Sequence, residues 1–220
     1  APLDVTYTYA ETFWNAGYQL HAHTNGDASA AALIDIVRNL QDQNPRIDHR
    51  LTLEHFAYST EDQTRQLKAL GAVVSANPYY HYILSDVYSD KWLGPDRGNQ
   101  MVRLGSLQRH GVTLALHSDS AMAPLSPLTL AYNATNRVTI NGNLTGAEER
   151  ISLDAALRAI TIDAAWIVGW ENEIGSIRAG KRADFAVLDS DPYQVGASGL
   201  RDIKVWGTVF EGEVHPADAE

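Results

Sequence analysis

The segment that decides the fold is one strand–helix–strand unit at residues 18–55, YQLHAHTNGDASAAALIDIVRNLQDQNPRIDHRLTLEH. Its first six residues and its last six, RLTLEH, are too short for stable helices and are bounded by turn residues, which favours strands. Residues 27–40 carry apolar side chains at helical spacing, and Asn44-Pro45 ends that pattern. This order predicts a parallel βαβ unit.

The alternation of strand and helix continues downstream at intervals of about 30 residues, which is the spacing of parallel βαβ units. Thr60 and Gly71 are typical cap residues for a helix that lies between them. Four units are predicted in all. The segments after the first unit are a helix at 60–70, a strand at 72–76, a tyrosine-rich connection at 77–97, a helix ending at Gly111 and a strand at 112–117.

The pattern changes after Asp119, where a proline-containing loop replaces the regular alternation. Helices are predicted near 128–136 and 152–168, and short β-type runs at 185–188 and 205–210. We draw one boundary near residue 174. It separates a domain at 1–174 from a small sheet at 175–220.

The composition is that of an ordinary globular protein of 220 residues, 45% hydrophobic, with a net charge of −10. Because no broad basic surface is available for phosphates, we expect no nucleic-acid partner. No apolar run approaches the roughly 20 residues that span a bilayer, so we expect no membrane partner. The first residues do not have the pattern of a signal peptide, so we expect a cytoplasmic location. The chain lacks cysteine, which leaves histidine and carboxylate as its strong metal ligands.

Three of the four predicted strands end in strong ligands or acid–base groups, namely HAH at 21–23, EH at 54–55 and HSD at 117–119. The carboxyl ends of parallel barrel strands form the active site in nearly all enzymes of that architecture. Residues two apart in a strand face the same side, so each His-x-His or His-x-Asp pair can point inward together. The sequence therefore predicts a compact cluster of histidine and aspartate.

The spacing of these residues supports one register. His23 and His55 are 32 residues apart, which is one βα unit, and His55 and Asp119 are 64 apart, which is two units. The strand between them ends at Asn77-Pro78 and supplies no metal ligand.

Four motifs together resemble the metal-dependent amidohydrolase superfamily, and most of all its amidohydrolase-3, or YtcJ-like, branch. They are HTNGD at 23–27, LEH at 53–55, HSD at 117–119 and IGSIRAGKRADFAVL at 174–188. The resemblance implies an α/β fold, the C-terminal half (strands 5–8) of a (β/α)8 TIM barrel, followed by the C-terminal strands of a small β-sandwich. It also implies that His23 and His55 bind a divalent metal, with zinc as the expected ion, and that Asp119 is a metal ligand and the catalytic acid–base group.

The departure from the family is the missing first half. The family's strand 1 His-x-His pair and its strand 4 residue would lie upstream of this chain. An alternative takes His21 and His23 as the strand 1 pair, but the downstream spacing would then lack a strand 5 ligand. Four parallel strands alone leave unpaired edges and an apolar face, so we expect association with a second copy or with a missing N-terminal half.

The other histidines and one aspartate have less specific roles. His21 and His117 are candidates for contacts that orient the metal ligands, for contacts with substrate, or for packing that only fills the barrel. Asp27 is expected to cap the following helix or to orient a histidine, and His81 to contact substrate or lie on an exposed aromatic loop. The remaining histidines are predicted to lie on the surface, at His49, His110 and His215.

The predicted reaction is hydrolysis of a non-peptide, amide-like C–N bond in a small molecule. A divalent ion held by two imidazoles and a carboxylate lowers the pKa of bound water towards about 7. Asp119 would take the proton of that water and pass it to the departing nitrogen. Two alternatives remain. One is a catalytically incomplete half-barrel that persists as an oligomer or binding scaffold, and the other is a binding protein that uses the α/β scaffold without hydrolysis and therefore would not need Asp119.

Overall fold

A computed structural model describes residues 2–217, and its centre is a four-stranded parallel sheet in the order β1-β2-β3-β4. All three strand pairs are parallel, as the βαβ pattern predicts. Because all the strands run in the same direction, their four carboxyl ends lie at one edge of the sheet. The strands are β1 (His21–Thr24), β2 (Thr52–His55), β3 (Val73–Ala76) and β4 (Leu114–Leu116).

Helices precede, connect and follow these strands. No helix in residues 2–217 has the length and apolar character needed to cross a membrane. The helices are α1 (Leu3–Asn15), α2 (Asp27–Gln43), α3 (Glu61–Leu70), α4 (Tyr79–Tyr88), α5 (Pro95–Gly98), α6 (Leu104–His110), α7 (Pro127–Asn136), α8 (Leu153–Ala159), α9 (Ile162–Ile167) and α10 (Pro192–Val195).

Helix α3 shows how local sequence sets an element's ends. The Thr60 hydroxyl accepts a hydrogen bond from the Gln63 backbone N–H, and the Gln63 side chain accepts one from the Thr60 N–H, which makes a capping box. Gly71 ends the helix in the left-handed conformation, with φ at 74°. The predicted N-cap and C-cap are confirmed.

The main hydrophobic core lies between one face of the sheet and the helices α2, α3 and α6. Alternate strand residues point into it because successive side chains in a strand face opposite sides. The core continues through α7 and α8. Its buried residues include Leu53, Val74, Leu114 and Leu116 from the strands and Ile34, Val37, Leu40, Leu67 and Leu107 from the helices.

Helix α9 packs against the opposite face of the sheet. Val73 and Ala115, which alternate with core residues, form a separate buried cluster with Ile167 of α9. Gln19 and Arg50 hold this helix by donating hydrogen bonds to the Ile167 carbonyl at 2.5 Å and the Trp166 carbonyl at 2.6 Å. Helix α9 thus covers the part of this face that is farther from the strands' carboxyl ends. Polar residues lie on the part near those ends.

The connection at 77–97 is largely helical, which the prediction of a tyrosine-rich connection did not include. It contains α4, a π-helical turn at Ser89–Leu93 and α5. Tyrosine has only modest helix propensity, but Tyr80, Leu84 and Tyr88 recur every four residues and pack against the core. Tertiary packing therefore outweighs the weak local preference.

The C-terminal tail forms a small sheet, as the two β-type runs predict, and the structure shows that this sheet is antiparallel and has a third strand. Its strands are β5 (Phe185–Leu188), β6 (Val205–Phe210) and β7 (Glu213–Pro216), in the order β5-β6-β7. Between β5 and β6, Leu200 is fully buried in the main core. The boundary near residue 174 stays a prediction.

The motif that begins at Ile174 has a structural explanation. Gly175 has φ at 83°, and a Cβ there would lie 2.6 Å from the Ala165 Cβ of α9. The Lys181 ammonium donates to the Ile174 carbonyl at 3.0 Å and to the Ser176 hydroxyl at 2.7 Å. Glycine allows the close approach to α9, and lysine closes the turn that leads into β5.

His49 is buried, so its predicted surface position was wrong. Its Nδ1 accepts a hydrogen bond from the Leu51 N–H at 2.9 Å, and its Nε2 donates to the Leu70 carbonyl at 2.8 Å. The ring lies against Trp14, with 4.9 Å between centroids. Burial lowers the pKa of His49, so the neutral tautomer joins α1, β2 and α3.

Two glycines in the loop after α7 allow a test of how closely this loop is packed. Gly142 and Gly146 both have positive φ, but a Cβ at Gly142 would meet open space, whereas one at Gly146 would collide with the Asn99 carbonyl oxygen and lie 2.9 Å from the Arg137 guanidinium. We expect Gly146→Ala to lower the free energy of unfolding by about 1–3 kcal/mol more than Gly142→Ala. Urea unfolding of both variants measures this difference, and equal losses would contradict the packing argument.

Candidate functional site

Three histidine rings meet at the carboxyl ends of the strands. The ring centroid of His55, from β2, lies 4.5 Å from that of His23, from β1, and 4.7 Å from that of His117, which follows β4. His55 is therefore the centre of the cluster. The structure brings together the histidines that the strand register predicted.

Left-handed backbone conformations turn two of the sequence-predicted residues into place. His55 and Phe56 have φ at 70° and 49°, and Asp119 has φ at 50°. This conformation is uncommon for residues other than glycine and costs about 1–3 kcal/mol each. Phe56 is buried, and its N–H donates to the Thr24 carbonyl at 2.9 Å, which helps to hold the turn after β2.

Tyr80 joins the histidine cluster to Asp119. Its hydroxyl donates to Asp119 Oδ2 at 3.0 Å and lies 3.4 Å from His55 Nδ1, and its ring stacks on that of His55 with 5.6 Å between centroids. Burial and the hydrogen bond to Asp119 raise the pKa of Tyr80, so the phenol keeps its proton. Sequence reasoning missed Tyr80 because it assigned 77–97 as a tyrosine-rich connection without a helix that would direct this side chain to the site.

Glu54 lies behind the cluster, between two histidines. Its Oε1 lies 2.7 Å from His21 Nδ1, and its Oε2 lies 3.9 Å from His117 Nε2. Burial acts to raise the pKa of Glu54, but hydrogen bonds from His21 and Ser75 and the nearby histidines outweigh it and lower the pKa. Glu54 is thus an ionised carboxylate that orients His21. Its position in the EH motif at 54–55 gives only a weak indication of this role.

The electrostatics of the cluster favour neutral imidazoles at His55 and His117. Burial, followed by the charge of a neighbouring histidine, lowers the pKa of both His55 and His117. His117 Nε2 is buried without a hydrogen-bond partner among the described residues. Neutral imidazole nitrogens with free lone pairs are the form in which histidine binds metal.

Asp27 lies at the start of α2 and is held away from a ligand role. Its Oδ1 accepts from the Ala28 N–H at 2.9 Å, and its Oδ2 pairs with Arg97 at 2.7 Å. The N-cap itself is Gly26. Asp27 therefore stabilises the first turn of the helix, while the amide of Asn25 lies 3.4 Å from His23 Nε2.

His81 lies in the interior, and this placement does not support the predicted substrate contact or exposed loop. Its side chain is 1% exposed, and its Nε2 lies 2.6 Å from the Thr145 hydroxyl. His110 was predicted at the surface, but it is partly buried and pairs with Glu61 at 2.6 Å. His215 is exposed, as predicted. Helical periodicity explains His81, because α4 turns it away from the face that carries Tyr80.

The residues present fit part of a metal centre. His23 and His55 are adjacent imidazole donors, and the Tyr80 hydroxyl bridges His55 and Asp119. Among residues 2–217, however, no three histidine, aspartate or glutamate side chains are arranged as a group that could hold an ion. The donor chemistry suits a divalent cation, and the arrangement provides a pair of imidazoles with a carboxylate nearby.

Comparison with known protein families gives one extended match. Residues 5–215 match the family model described as the amidohydrolase family. The match covers all four strands of the parallel sheet and most of the C-terminal sheet.

Two kinds of curated relatives illustrate the similarity. The chain is 30% identical over 197 residues to the N-substituted formamide deformylase of Arthrobacter pascens, which covers 89% of this chain and 36% of that protein. It is 33% identical over 143 residues to the imidazolonepropionase of Acinetobacter baumannii, which covers 64% of this chain and 30% of that protein. The chain thus spans about a third of the length of these relatives.

Solved structures share the fold. An uncharacterized metal-dependent hydrolase from Pyrococcus horikoshii OT3 superposes with a TM-score of 0.75 at 22% identity, over 90% of this chain and 39% of that one. An adenosine deaminase from Xanthomonas campestris with bound zinc gives a TM-score of 0.66 at 20% identity, over 99% of this chain and 51% of that one. These identities support a shared architecture and nothing finer.

The buried position of His81 predicts a pH dependence of stability. Burial, followed by the charge of Arg137, lowers the pKa of His81 to about 3 in the folded protein, whereas an unfolded histidine titrates near 6.5. The unfolded chain therefore binds the proton first, and stability falls as the pH drops from about 6.5 towards 3, by at most about 1.4 kcal/mol per pH unit from this residue.

We expect His81→Gln to make the free energy of unfolding less dependent on pH over that window, as measured by urea unfolding at several pH values. His215→Gln makes the same change at an exposed position and serves as the control. If His81→Gln and the unmodified protein show the same pH slope, His81 is not held neutral by burial.

Proposed function

The chain belongs to the amidohydrolase family, and from this premise we propose that the protein hydrolyses a non-peptide C–N bond of a small molecule with the help of a divalent metal. The observation that carries the proposal is the meeting of His23, His55 and His117 beside Asp119. Relatives named as a formamide deformylase and an imidazolonepropionase support C–N hydrolysis. Zinc is the proposed ion, and a neighbour with bound zinc supports it.

We propose that the parallel sheet corresponds to strands 5–8 of a (β/α)8 barrel and that the antiparallel sheet is the C-terminal part of a β-sandwich. In this assignment β1 is strand 5, β2 is strand 6 and β4 precedes the strand 8 aspartate. The TM-scores of metal-dependent hydrolases support the assignment. It makes His23 and His55 the proposed metal ligands.

Each residue then has a chemical role. A divalent ion bound by His23 and His55 would polarise the substrate carbonyl and lower the pKa of a water molecule. Asp119 accepts the proton of the attacking water and delivers it to the departing nitrogen. Glu54 keeps His21 oriented, and His117 supplies a buried nitrogen next to His55.

The described residues form only part of a coordination shell, so we propose that further donors come from polypeptide beyond these 220 residues. Relatives of which this chain spans about a third support this view. Either an N-terminal half or a second copy would pair with the free edge of β1 and cover the exposed His21 and His23. A cytoplasmic location stays a prediction of the sequence.

The experiment measures metal content and hydrolysis for the complete protein. We expect about one or more zinc ions per chain and hydrolysis of at least one member of a panel of N-substituted formamides, imidazolones and simple amides. His55→Ala should reduce metal affinity and activity at least tenfold, because loss of even an outer partner of a metal ligand costs about 10–100-fold.

The matched control is His215→Ala, which removes an exposed histidine far along the chain in β7. It should retain the metal and the activity. A complete protein that binds no metal when zinc is supplied, and hydrolyses none of the panel, would refute the proposal and favour the non-catalytic scaffold instead.

A further inference from the structure

We infer that Tyr80 is a positioning residue that holds Asp119 and His55 in the geometry needed for hydrolysis. The inference deepens the proposed function and rests on it. Tyr80 follows β3, the strand whose end supplies no metal ligand, so it gives this strand a part in the site.

The first argument is the contact geometry. One side chain from β3's helix touches the carboxylate that follows β4 and the histidine that ends β2, at 3.0 Å and 3.4 Å. The phenol has a single proton, and the shorter contact assigns it to Asp119. The phenol oxygen is then free to accept from His55 Nδ1, which leaves His55 Nε2 unprotonated.

This proton arrangement matters for the site. A metal-binding histidine is usually fixed in one tautomer by a hydrogen bond from its other ring nitrogen. Tyr80 can provide that bond to His55, and the stacking of the two rings, tilted by only 23°, limits rotation of the imidazole. At the same time the hydrogen bond to Asp119 Oδ2 leaves Oδ1 available for the proton of the attacking water.

The second argument is the framework that holds Tyr80. Asn77 is fully buried, its side-chain oxygen accepts from the Tyr79 N–H at 3.0 Å, and its side-chain nitrogen donates to the Ser118 carbonyl at 3.2 Å. One amide therefore ties the first turn of α4 to the residue before Asp119. The distance between Tyr80 and Asp119 is set by a buried link, not by a flexible surface loop.

The far part of α4 is also anchored. Asp86 accepts hydrogen bonds from Thr139 and Asn143, and the Ile140 N–H donates to the Tyr82 carbonyl at 2.8 Å. The loop after α7 thus holds the helix against movement along its axis. Both ends of α4 are therefore held by other segments of the chain. Because Tyr80 is fixed in this way without help from Asp119 or His55, it is suited to orient both of them.

The experiment compares Tyr80→Phe with Tyr79→Phe in the complete protein. Both changes remove one phenol hydroxyl from the first turn of the same helix, and the Tyr79 ring packs on Tyr82 instead of on the site. Each protein is titrated with Co²⁺, which reports ligand geometry through its visible absorption, and is assayed on the substrate found for the unmodified protein. Circular dichroism checks that each variant is folded.

We expect Tyr80→Phe to weaken Co²⁺ binding by about 10–100-fold, to change the visible spectrum and to lower kcat more than it changes KM. Tyr79→Phe should match the unmodified protein in all three. If Tyr80 only fills space, the visible spectrum of bound Co²⁺ should not change, because phenylalanine keeps the ring.

Two failures are distinguishable. If the unmodified protein binds Co²⁺ and hydrolyses its substrate, and Tyr80→Phe does both equally well with the same spectrum, the positioning role is overturned and the proposed function stands. If the unmodified protein does neither, the proposed function fails and the role of Tyr80 fails with it.

Discussion

The parallel hydrogen-bonded register of β1 to β4 is the constraint on which the rest of the structure depends. It aligns His23 with Glu54 and Ser75, and Thr24 with His55 and Ala76. Because parallel strands end at the same edge, residues far apart in the chain become neighbours there. The same ladder sends one set of alternating side chains into the hydrophobic core and the other set to the polar site.

The site departs from regular strand geometry where its chemistry is concentrated. Left-handed residues at the end of β2 and after β4 let adjacent side chains, such as Glu54 and His55, both reach the histidine cluster. Such backbone persists only where the surroundings hold it. Here the buried side chains of Phe56 and Asn77 do so, which means that the buried core holds the backbone of the candidate site in place.

Buried polar groups near α4 also hold irregular backbone in place. Arg137 is almost fully buried and donates to the carbonyls of Asn99, Met101, Val102 and Thr145. These bonds satisfy irregular backbone between α5 and α6 and in the loop that supports α4. A buried arginine with such partners rigidifies its surroundings.

The sequence by itself determined the alternation of strands and helices, the caps of α3, a small sheet in the tail and the meeting of His23, His55 and Asp119 at one edge. These features follow from short-range patterns and from strand spacing, which one chain displays directly. Only the tertiary structure decided that 77–97 is helical, that His49 and His81 are buried, and that Tyr80 and Glu54 belong to the site. Those outcomes depend on contacts between distant segments: packing overrides weak helix propensity, and the direction of a side chain is set by whichever neighbours enclose it.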